Sequence, residues 1–375
     1  MVNEKRLVNS FMELVKIDSV SREEATVAEY LITKLKKIGL EVEVDNAGKK
    51  VKSTSGNIIA RFKGNRNNIP AILFSAHMDT VSPGRSIQPV LKDGKIFSAG
   101  DTILGGDDKA GIAIILETLH LITENNILSG DIEIVFTICE EVGLLGAKNL
   151  DLSKLKAKMG FILDSEGDPG EIIVSAPFHN AIEFTFLGKA AHSGAVPEKG
   201  INAIQVSGYA LSRMQLGRID KETTSNIGTI SGGKATNIVP DKVVLKGEVR
   251  SRNEEKLEFQ TAELIRICEK TAREFKAKVE IKVNREYDGY NFSEKKEIIK
   301  TALLAANKIQ LTSVFDASGG GSDVNVLNKK GLTSVDLGIG MKNVHTVDEY
   351  IHVKNLIKST EYLVSLIQTV ASGDI

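Results

Sequence analysis

The stretch AILFSAHMDTV, residues 71–81, decides the fold, because an apolar run of strand length ends in the polar residues His77 and Asp79. A short continuous apolar run is typical of a strand buried on both faces of a sheet. In open α/β sheets, ligands bind outside the carboxyl ends of the strands. The stretch therefore predicts a central strand with a polar site at its end, although capping or packing also explains a single histidine here.

Four further segments place carboxylates or histidine at the end of a predicted strand, at the start of a predicted helix or in a polar loop. They are GGDDKAG (105–111), TICEEVG (137–143), GFILDSEG (160–167) and NVHTVDEY (343–350). Glu140 and Glu141 point to opposite sides of an extended chain, so one can bind a metal while the other reaches its bound water. Five such segments in a chain with six histidines predict a site of carboxylate and imidazole ligands, as in zinc hydrolases.

The order of predicted elements indicates an α/β protein with an insertion. Strands alternate with helices in residues 1–177 and again in residues 288–375, which is typical of a sheet covered on both faces. Residues 178–287 instead show the β-α-β-β-α-β order of a ferredoxin-like α+β domain. We therefore expect a discontinuous first domain and an inserted second domain, a division that suits a chain of 375 residues.

Composition excludes several function classes. Lys and Arg total 48 against 49 Asp and Glu, so no general field attracts nucleic acid or an anionic membrane. Two cysteines far apart in sequence, Cys139 and Cys268, support neither a disulfide framework nor a cysteine-rich zinc site. No apolar stretch approaches the roughly 20 residues of a membrane span. The N-terminal segment carries acids and has its apolar residues at helical spacing, unlike the continuous apolar core of a signal peptide. We expect a cytoplasmic protein that acts on a small molecule or peptide.

The five segments, in this order, resemble the di-zinc metallopeptidases that include peptidase T, glutamate carboxypeptidase and aminoacylase. The resemblance rests on SAHMD (75–79), GDDKAG (106–111), CEEVG (139–143), LDSEG (163–167) and VH (344–345), and GDDKAG is closest to the peptidase T branch. It implies a mixed-sheet α/β/α catalytic domain with two Zn²⁺, for which Co²⁺ or Mn²⁺ can substitute. It further implies that His77 and Asp164 bind one zinc, that Glu141 and His345 bind the other, and that Asp107 bridges them.

The same resemblance implies roles for two carboxylates that are not ligands. Glu140 is the expected general base, which takes a proton from water and passes it to the leaving amine. Asp79 is expected to orient the imidazole of His77. Asp108 is expected to be a neighbour only, because the family pattern places the bridging carboxylate two residues before the lysine.

In the inserted domain, GKAAHSG (188–194) resembles the family's lid motif. The resemblance implies that His192 donates a hydrogen bond to the developing oxyanion, and that Asn237 and Arg250 hold a substrate carboxylate. In the family such groups can come from a partner subunit, so a homodimer through this domain is expected. The glycine-rich segment at residues 318–323 is either a plain turn or a loop whose amides approach the substrate.

The resemblance implies an exopeptidase of the peptidase T type that cleaves short peptides, with an aminopeptidase preferred and carboxy-terminal cleavage kept as the other possibility. The stretch between Asp79 and Asp107 is shorter than in peptidase T itself, which leaves strict tripeptide selectivity open. One alternative is an N-acyl or N-carbamoyl amino acid amidohydrolase of the same family. A non-catalytic metal-binding protein is the other, and the presence of both Asp79 and Glu140 argues against it. Two other histidines, His120 and His352, fall in helical patterns and are expected to serve packing or the surface.

Overall fold

The computed structural model describes residues 1–373, and the chain divides into two compact units. Unit 2 comprises Ser175–Asn291 together with the short segment Ser318–Gly321. Unit 1 comprises Met1–Val174, Phe292–Ala317 and the chain from Ser322 onward. The inserted domain predicted at residues 178–287 falls within unit 2, whereas the sequence pattern gave no sign that Ser318–Gly321 belongs with it.

The elements are numbered here in chain order. The α-helices are α1 (Glu4–Val15), α2 (Ala25–Ile38), α3 (Ala47–Val51), α4 (Gly106–Glu124), α5 (Leu145–Asn149), α6 (Ala203–Arg213), α7 (Glu254–Glu274), α8 (Glu297–Lys308), α9 (Asp323–Lys329) and α10 (Val353–Ser372). The strands are β1 (Glu41–Val44), β2 (Ile58–Phe62), β3 (Ile72–His77), β4 (Pro89–Lys92), β5 (Lys95–Ser98), β6 (Ile132–Thr137), β7 (Met159–Ser165), β8 (Glu171–Ala176), β9 (Phe178–Leu187), β10 (Gly217–Arg218), β11 (Thr223–Gly232), β12 (Lys242–Ser251), β13 (Lys278–Tyr287), β14 (Tyr290–Asn291), β15 (Val314–Ala317), β16 (Thr333–Gly338), β17 (Met341–Lys342) and β18 (Tyr350–His352).

A mixed sheet forms the centre of unit 1, which confirms the predicted α/β class. Its strands run in the order β1-β2-β6-β3-β7-β16-β8. The central strands β6, β3, β7 and β16 are parallel, and β1, β2 and β8 pair antiparallel at the sides. Every residue of β3 and of β6 is buried, as expected for parallel strands covered on both faces. The carboxyl ends of β3, β6 and β7 therefore meet at one edge.

Helices cover this sheet with apolar faces that the sequence spacing predicts. Helix α1 buries Leu7, Phe11, Leu14 and Val15 on one side. Helix α2 ends at Gly39, whose φ of 103° is a left-handed conformation that glycine adopts without steric cost. Helix α4 is buried along nearly its whole length and packs against β3, β7, α1 and α10. This burial fixes the start of α4 relative to the strand ends.

One strand and one histidine lie elsewhere than the sequence pattern suggested. The strand–helix pattern of residues 1–177 predicts residues 95–98 as a strand of the main sheet, but β5 belongs to a separate four-stranded sheet ordered β17-β18-β5-β4. Its alternating half-buried and buried residues fit an antiparallel strand covered on one face. His352 lies in β18, directly before α10, and not within a helix as expected. Its φ and ψ of -86° and 137° are extended.

Unit 2 has its own sheet and its own core. Its strands are antiparallel in the order β10-β11-β12-β9-β13. The order β9-α6-β11-β12-α7-β13 is the predicted ferredoxin-like arrangement. Helices α6 and α7 contact this sheet and one another, and the shared core includes Phe184, Phe186, Leu245, Leu257 and Leu264.

None of the helices within residues 1–373 has the length and apolar character needed to cross a membrane.

Candidate metal centre

Each candidate ligand lies at the end of a strand, at the start of a helix or in a loop of unit 1. His77 is the last residue of β3, Asp164 is the next-to-last residue of β7, and Asp107 is the second residue of α4. Glu141 lies in the loop that follows β6, and His345 lies in the loop between β17 and β18. Because the parallel strands end at one edge of the sheet, three of these segments converge there.

The structure brings the five predicted ligands together as two triads that share Asp107. In the first triad, His77 Nε2 lies 2.9 Å from Asp107 Oδ1 and 3.6 Å from Asp164 Oδ1. In the second, His345 Nε2 lies 3.1 Å from Asp107 Oδ2 and 2.9 Å from Glu141 Oε1. Within each triad the ligand atoms lie within 4.8 Å of one another. Each oxygen of Asp107 thus faces a different imidazole, which is the arrangement expected of a bridging carboxylate.

The chemistry of these donors fits two divalent cations. Each triad offers one imidazole nitrogen and two carboxylates, a set that suits zinc and related metals. Hydrogen bonds to Asp107 and Glu141 raise the pKa of His345 to about 10. Burial alone would lower the pKa of His77, but the Asp164 and Asp107 carboxylates raise it well above its ordinary value. Burial and the Asp107 charge raise the pKa of Asp164 and of Glu141, so a bound cation would stabilise the charged forms of these carboxylates.

Glu140 lies beside the triads with a side chain that is 8% exposed. Burial and the Asp164 charge raise its pKa well above the ordinary value of a glutamate. A carboxylate with a raised pKa is a stronger proton acceptor, as a general base requires. The preceding Cys139 is buried and its thiol pKa is raised to about 12, so it is an unreactive core residue.

The Asp79 carboxylate holds the Glu140–Glu141 loop through its main chain. Asp79 Oδ1 accepts from the Glu140 amide at 2.9 Å, and Oδ2 accepts from the Glu141 amide at 3.3 Å and from Ser21 Oγ at 2.7 Å. Its contact with His77 differs from the expected one. His77 Nδ1 lies 2.8 Å from the main-chain oxygen of Asp79 but 3.7 Å from the carboxylate, which is already occupied by these donors.

Three buried carboxylates that the sequence did not single out as functional also accept main-chain amides of the ligand segments. Asp108 accepts from the His77 amide at 3.2 Å, and Asp336 on β16 accepts from the Asp164 amide at 2.9 Å. Glu349 accepts from the Gly105 and Asp107 amides at 2.7 and 3.0 Å. An aspartate inside an otherwise apolar strand could have drawn attention to Asp336. No local pattern marks Glu349, apart from its place four residues after His345.

In unit 2, His192 has the tautomer that a hydrogen-bond donor needs. The side chain is exposed, and Nδ1 accepts from the amides of Gly194 at 3.2 Å and Ala195 at 3.1 Å. With Nδ1 accepting, the neutral ring carries its hydrogen on Nε2. Asn237 is also exposed, and its main-chain oxygen accepts from the Ser193 amide at 3.1 Å.

Arg250 already has a carboxylate partner within unit 2. It lies on β12, and its Nη2 donates to Glu248 Oε2 at 3.0 Å. Its Nε is buried without a hydrogen-bond acceptor among the described residues. A substrate carboxylate would therefore have to share the guanidinium with Glu248.

Known proteins resemble this chain over nearly its whole length. The family model for peptidase family M20/M25/M40 matches residues 73–369. The aminopeptidase PepT of Bacillus cereus is 43% identical with a TM-score of 0.91, over 99% of both chains. A tripeptidase of Staphylococcus aureus is 39% identical with a TM-score of 0.95, over 99% of this chain and 100% of the other. The YqjE protein of Bacillus subtilis is 41% identical over 99% of this chain and 100% of its own.

Proposed function

This chain belongs to peptidase family M20/M25/M40 and is a hydrolase acting on peptide bonds, and on that premise we propose that it is an aminopeptidase for short peptides that uses two zinc ions. The observation that carries the proposal is the shared Asp107 carboxylate, whose two oxygens face the imidazoles of His77 and His345 at 2.9 and 3.1 Å. The relatives described as an aminopeptidase and a tripeptidase support the choice of substrate.

In this proposal, His77 and Asp164 would hold one metal ion, Glu141 and His345 would hold the other, and Asp107 would be shared between them. When bound, the two ions supply Lewis-acid chemistry that polarises the scissile carbonyl and lowers the pKa of water. The donor sets support this assignment, because each triad combines an imidazole with two carboxylates.

Glu140 is the proposed general base. It takes a proton from the attacking water and donates it to the leaving amine. Its burial keeps its proton affinity high, and the two amide hydrogen bonds to Asp79 fix the position of its loop. Asp79 is therefore a positioning residue, which acts through the main chain of the loop.

Unit 2 supplies the proposed substrate contacts and, in this proposal, acts as a lid and as a site of homodimer formation. The Nε2–H of His192 is an exposed donor that suits a developing oxyanion. Asn237 and Arg250 are proposed to hold the substrate carboxylate, with Arg250 using its planar guanidinium.

The test is product analysis on a panel of matched substrates with Zn²⁺, Co²⁺ or Mn²⁺ supplied. The panel contains di- and tripeptides with free or acetylated N-termini, the same peptides with free or amidated C-termini, and N-acyl and N-carbamoyl amino acids. We expect release of the N-terminal residue from free peptides and no cleavage of acetylated ones. Cleavage of the acylated amino acids alone would show an amidohydrolase instead.

A further inference from the structure

We propose that Glu349 is a positioning residue that fixes the bridging carboxylate of Asp107 relative to His345, so that both metal ions bind tightly. The inference rests on the proposed function, since it concerns the same metal centre. Glu349 is neither a proposed ligand nor the proposed general base, and its hydrogen bonds to the Gly105 and Asp107 amides indicate the positioning role.

Glu349 is buried and hydrogen-bonded to the main chain of the Asp107 loop. Its side chain is 1% exposed. Oε2 accepts from the Gly105 amide at 2.7 Å, and Oε1 accepts from the Asp107 amide at 3.0 Å. Both carboxylate oxygens thus hold the peptide that carries the shared ligand, which limits how far that ligand can shift.

The start of α4 depends on this carboxylate. The N-cap residue is Gly105, which has no side chain that could cap the helix. Within the first turn, Asp107 and Asp108 depart from helical geometry. The first amides of a helix need acceptors, which a capping side chain normally provides. Glu349 supplies them from 244 residues further along the chain.

The glycines of this loop are explained by the same contact. Gly105 has a φ of +69°, a left-handed conformation that few other residues adopt easily. A Cβ atom on Gly106 would lie 2.9 Å from Glu349 Oε1, closer than real Cβ contacts. Two adjacent glycines therefore let the carboxylate approach the backbone.

Glu349 also lies on the segment that carries the other imidazole. It follows His345 by four residues, and its own amide donates to the Thr346 carbonyl at 3.2 Å. One side chain thus ties the peptide of Asp107 to the peptide of His345. Since both belong to one triad, losing this tie should loosen that triad and disturb the shared ligand. Residues behind metal ligands typically contribute about 10- to 100-fold in metal affinity.

The chain contains a matched control for a purely structural role. Glu133 on β6 is likewise 1% exposed. It accepts from the Lys156 amide at 3.0 and 2.9 Å and from the Ala157 amide at 2.9 Å. Like Glu349 it accepts hydrogen bonds from two main-chain amides, with Arg61 Nε a further 3.9 Å from its Oε1, but neither amide belongs to a candidate ligand.

The experiment compares Glu349→Gln with Glu133→Gln in the full-length protein. Zn²⁺ affinity and stoichiometry are measured by competition with a chromophoric chelator, and the unfolding midpoint is measured on the metal-free chain. We expect Glu349→Gln to weaken Zn²⁺ binding by about 10- to 100-fold. The Glu133→Gln variant should keep the affinity within about 2-fold, even where both variants lose similar stability. Equal affinities in the two variants would overturn the proposal.

A second variant covers the case in which Glu349→Gln does not fold. Gly106→Ala retains Glu349 but pushes its carboxylate away from the loop. This variant should therefore also weaken Zn²⁺ binding. Unchanged affinity there would count against the proposal. If the unaltered chain binds two Zn²⁺ but cleaves no peptide, the proposed function fails while the affinity comparison still decides the role of Glu349. If the unaltered chain binds no Zn²⁺, both proposals are wrong.

Discussion

Among single residues, buried carboxylates outside the two triads accept hydrogen bonds from the main-chain amides of the candidate ligands. Four pairs show this: Asp108 with the His77 amide, Glu349 with the Asp107 amide, Asp79 with the Glu141 amide and Asp336 with the Asp164 amide. A buried amide is costly without an acceptor. The peptides of the candidate ligands are therefore held in place independently of any metal.

The variant Glu140→Gln tests whether Glu140 is the general base and Glu141 a metal ligand. We expect this variant to keep both metal ions and to lose about 10²- to 10⁴-fold in the catalytic rate, because it removes only the general base. Metal content by atomic spectroscopy and rates on a tripeptide are the measurements. Glu141→Gln is the comparison and should lose metal. Loss of metal from the Glu140 variant would mean that the two roles are exchanged.

Metal binding should release protons near pH 7. The raised pKa values of His77 and His345 keep both imidazoles protonated in the metal-free chain, and metal requires their neutral form. The apparent dissociation constant should therefore fall as the pH rises from about 6 to 8. Titration calorimetry in two buffers of different ionisation enthalpy measures the release. Identical heats in both buffers would contradict it.

The same shifts predict how stability changes with pH in the metal-free chain. A raised imidazole pKa contributes stability that is complete below the unfolded pKa and is lost as the pH passes through the folded value, about 10 for His345. Replacing His345 should therefore flatten the fall in stability with rising pH, which denaturant unfolding at several pH values would show.

His192→Ala tests the proposed oxyanion donor. We expect the catalytic rate to fall by about 10²-fold or more with little change in metal content or in apparent substrate affinity, because the hydrogen bond forms in the transition state. His352→Ala is the control, since that histidine lies in β18 and in neither ligand triad. Equal rates for His192→Ala and the unaltered protein would remove this residue from the mechanism.

At the scale of elements, the close packing of α4 on β7 positions the site. A Cβ atom on Gly111 of α4 would clash with Asp108 Oδ1, and it would also lie 2.8 Å from the Leu163 carbonyl oxygen of β7 and 3.0 Å from the Leu163 Cβ. Any larger side chain would push the helix away from the strand that carries Asp164. The glycine that ends the GDDKAG segment is therefore a packing requirement for the first triad.

Two glycine-to-alanine substitutions should have opposite effects on stability. Gly111→Ala should destabilise the metal-free chain by about 1–3 kcal/mol, because it overpacks the α4–β7 contact. Gly208→Ala in α6 should stabilise it by about 0.4–1 kcal/mol, because the site is exposed and nothing lies within 4 Å of the added Cβ. The free energy of unfolding of each variant is measured in denaturant and compared with that of the unaltered chain. A neutral Gly111→Ala would show that α4 can shift freely.

At the scale of the whole molecule, each unit has a separate hydrophobic core that contains one buried free cysteine. Cys139 lies in the core of unit 1, and Cys268 lies in the core of unit 2. Metal binding should stabilise unit 1 by about 2.7 kcal/mol at a free concentration of 100 times the dissociation constant. The two thiols therefore report separately on the opening of the two units.

We expect Zn²⁺ to slow the labelling of Cys139 by about 100-fold and to leave Cys268 nearly unchanged. Pulsed thiol alkylation followed by mass spectrometry measures both sites in one sample. Single Cys→Ala variants serve as controls for assigning the labelled peptides. Equal protection of both thiols would show that the two units unfold together.

The mixed α/β class, the ferredoxin-like insertion and the segments that carry the candidate ligands could all be predicted from the sequence alone. Apolar runs marked β3, β6 and β7 as buried strands, and the polar residues at their ends followed. Parallel strands end at one edge, so residues such as His77 and Asp164 had to converge there. The periodicity of α1 and the glycine after α2 were equally readable, because both depend on residues a few positions apart.

Two features became evident only in the folded chain. They are the carboxylates that bond to the main chain of the candidate ligands, and the sheet in which β5 lies. Asp336 and Glu349 bond to amides 172 and 242 residues away, and no local pattern encodes such a distance. The sequences of β5 and of the segment that contains His352 are compatible with more than one strand pairing. The path of the chain places both in the small sheet that contains β17 and β18. Sequence patterns report whether a segment is buried. Hydrogen bonds between distant segments depend on how the packed elements bring their backbones together.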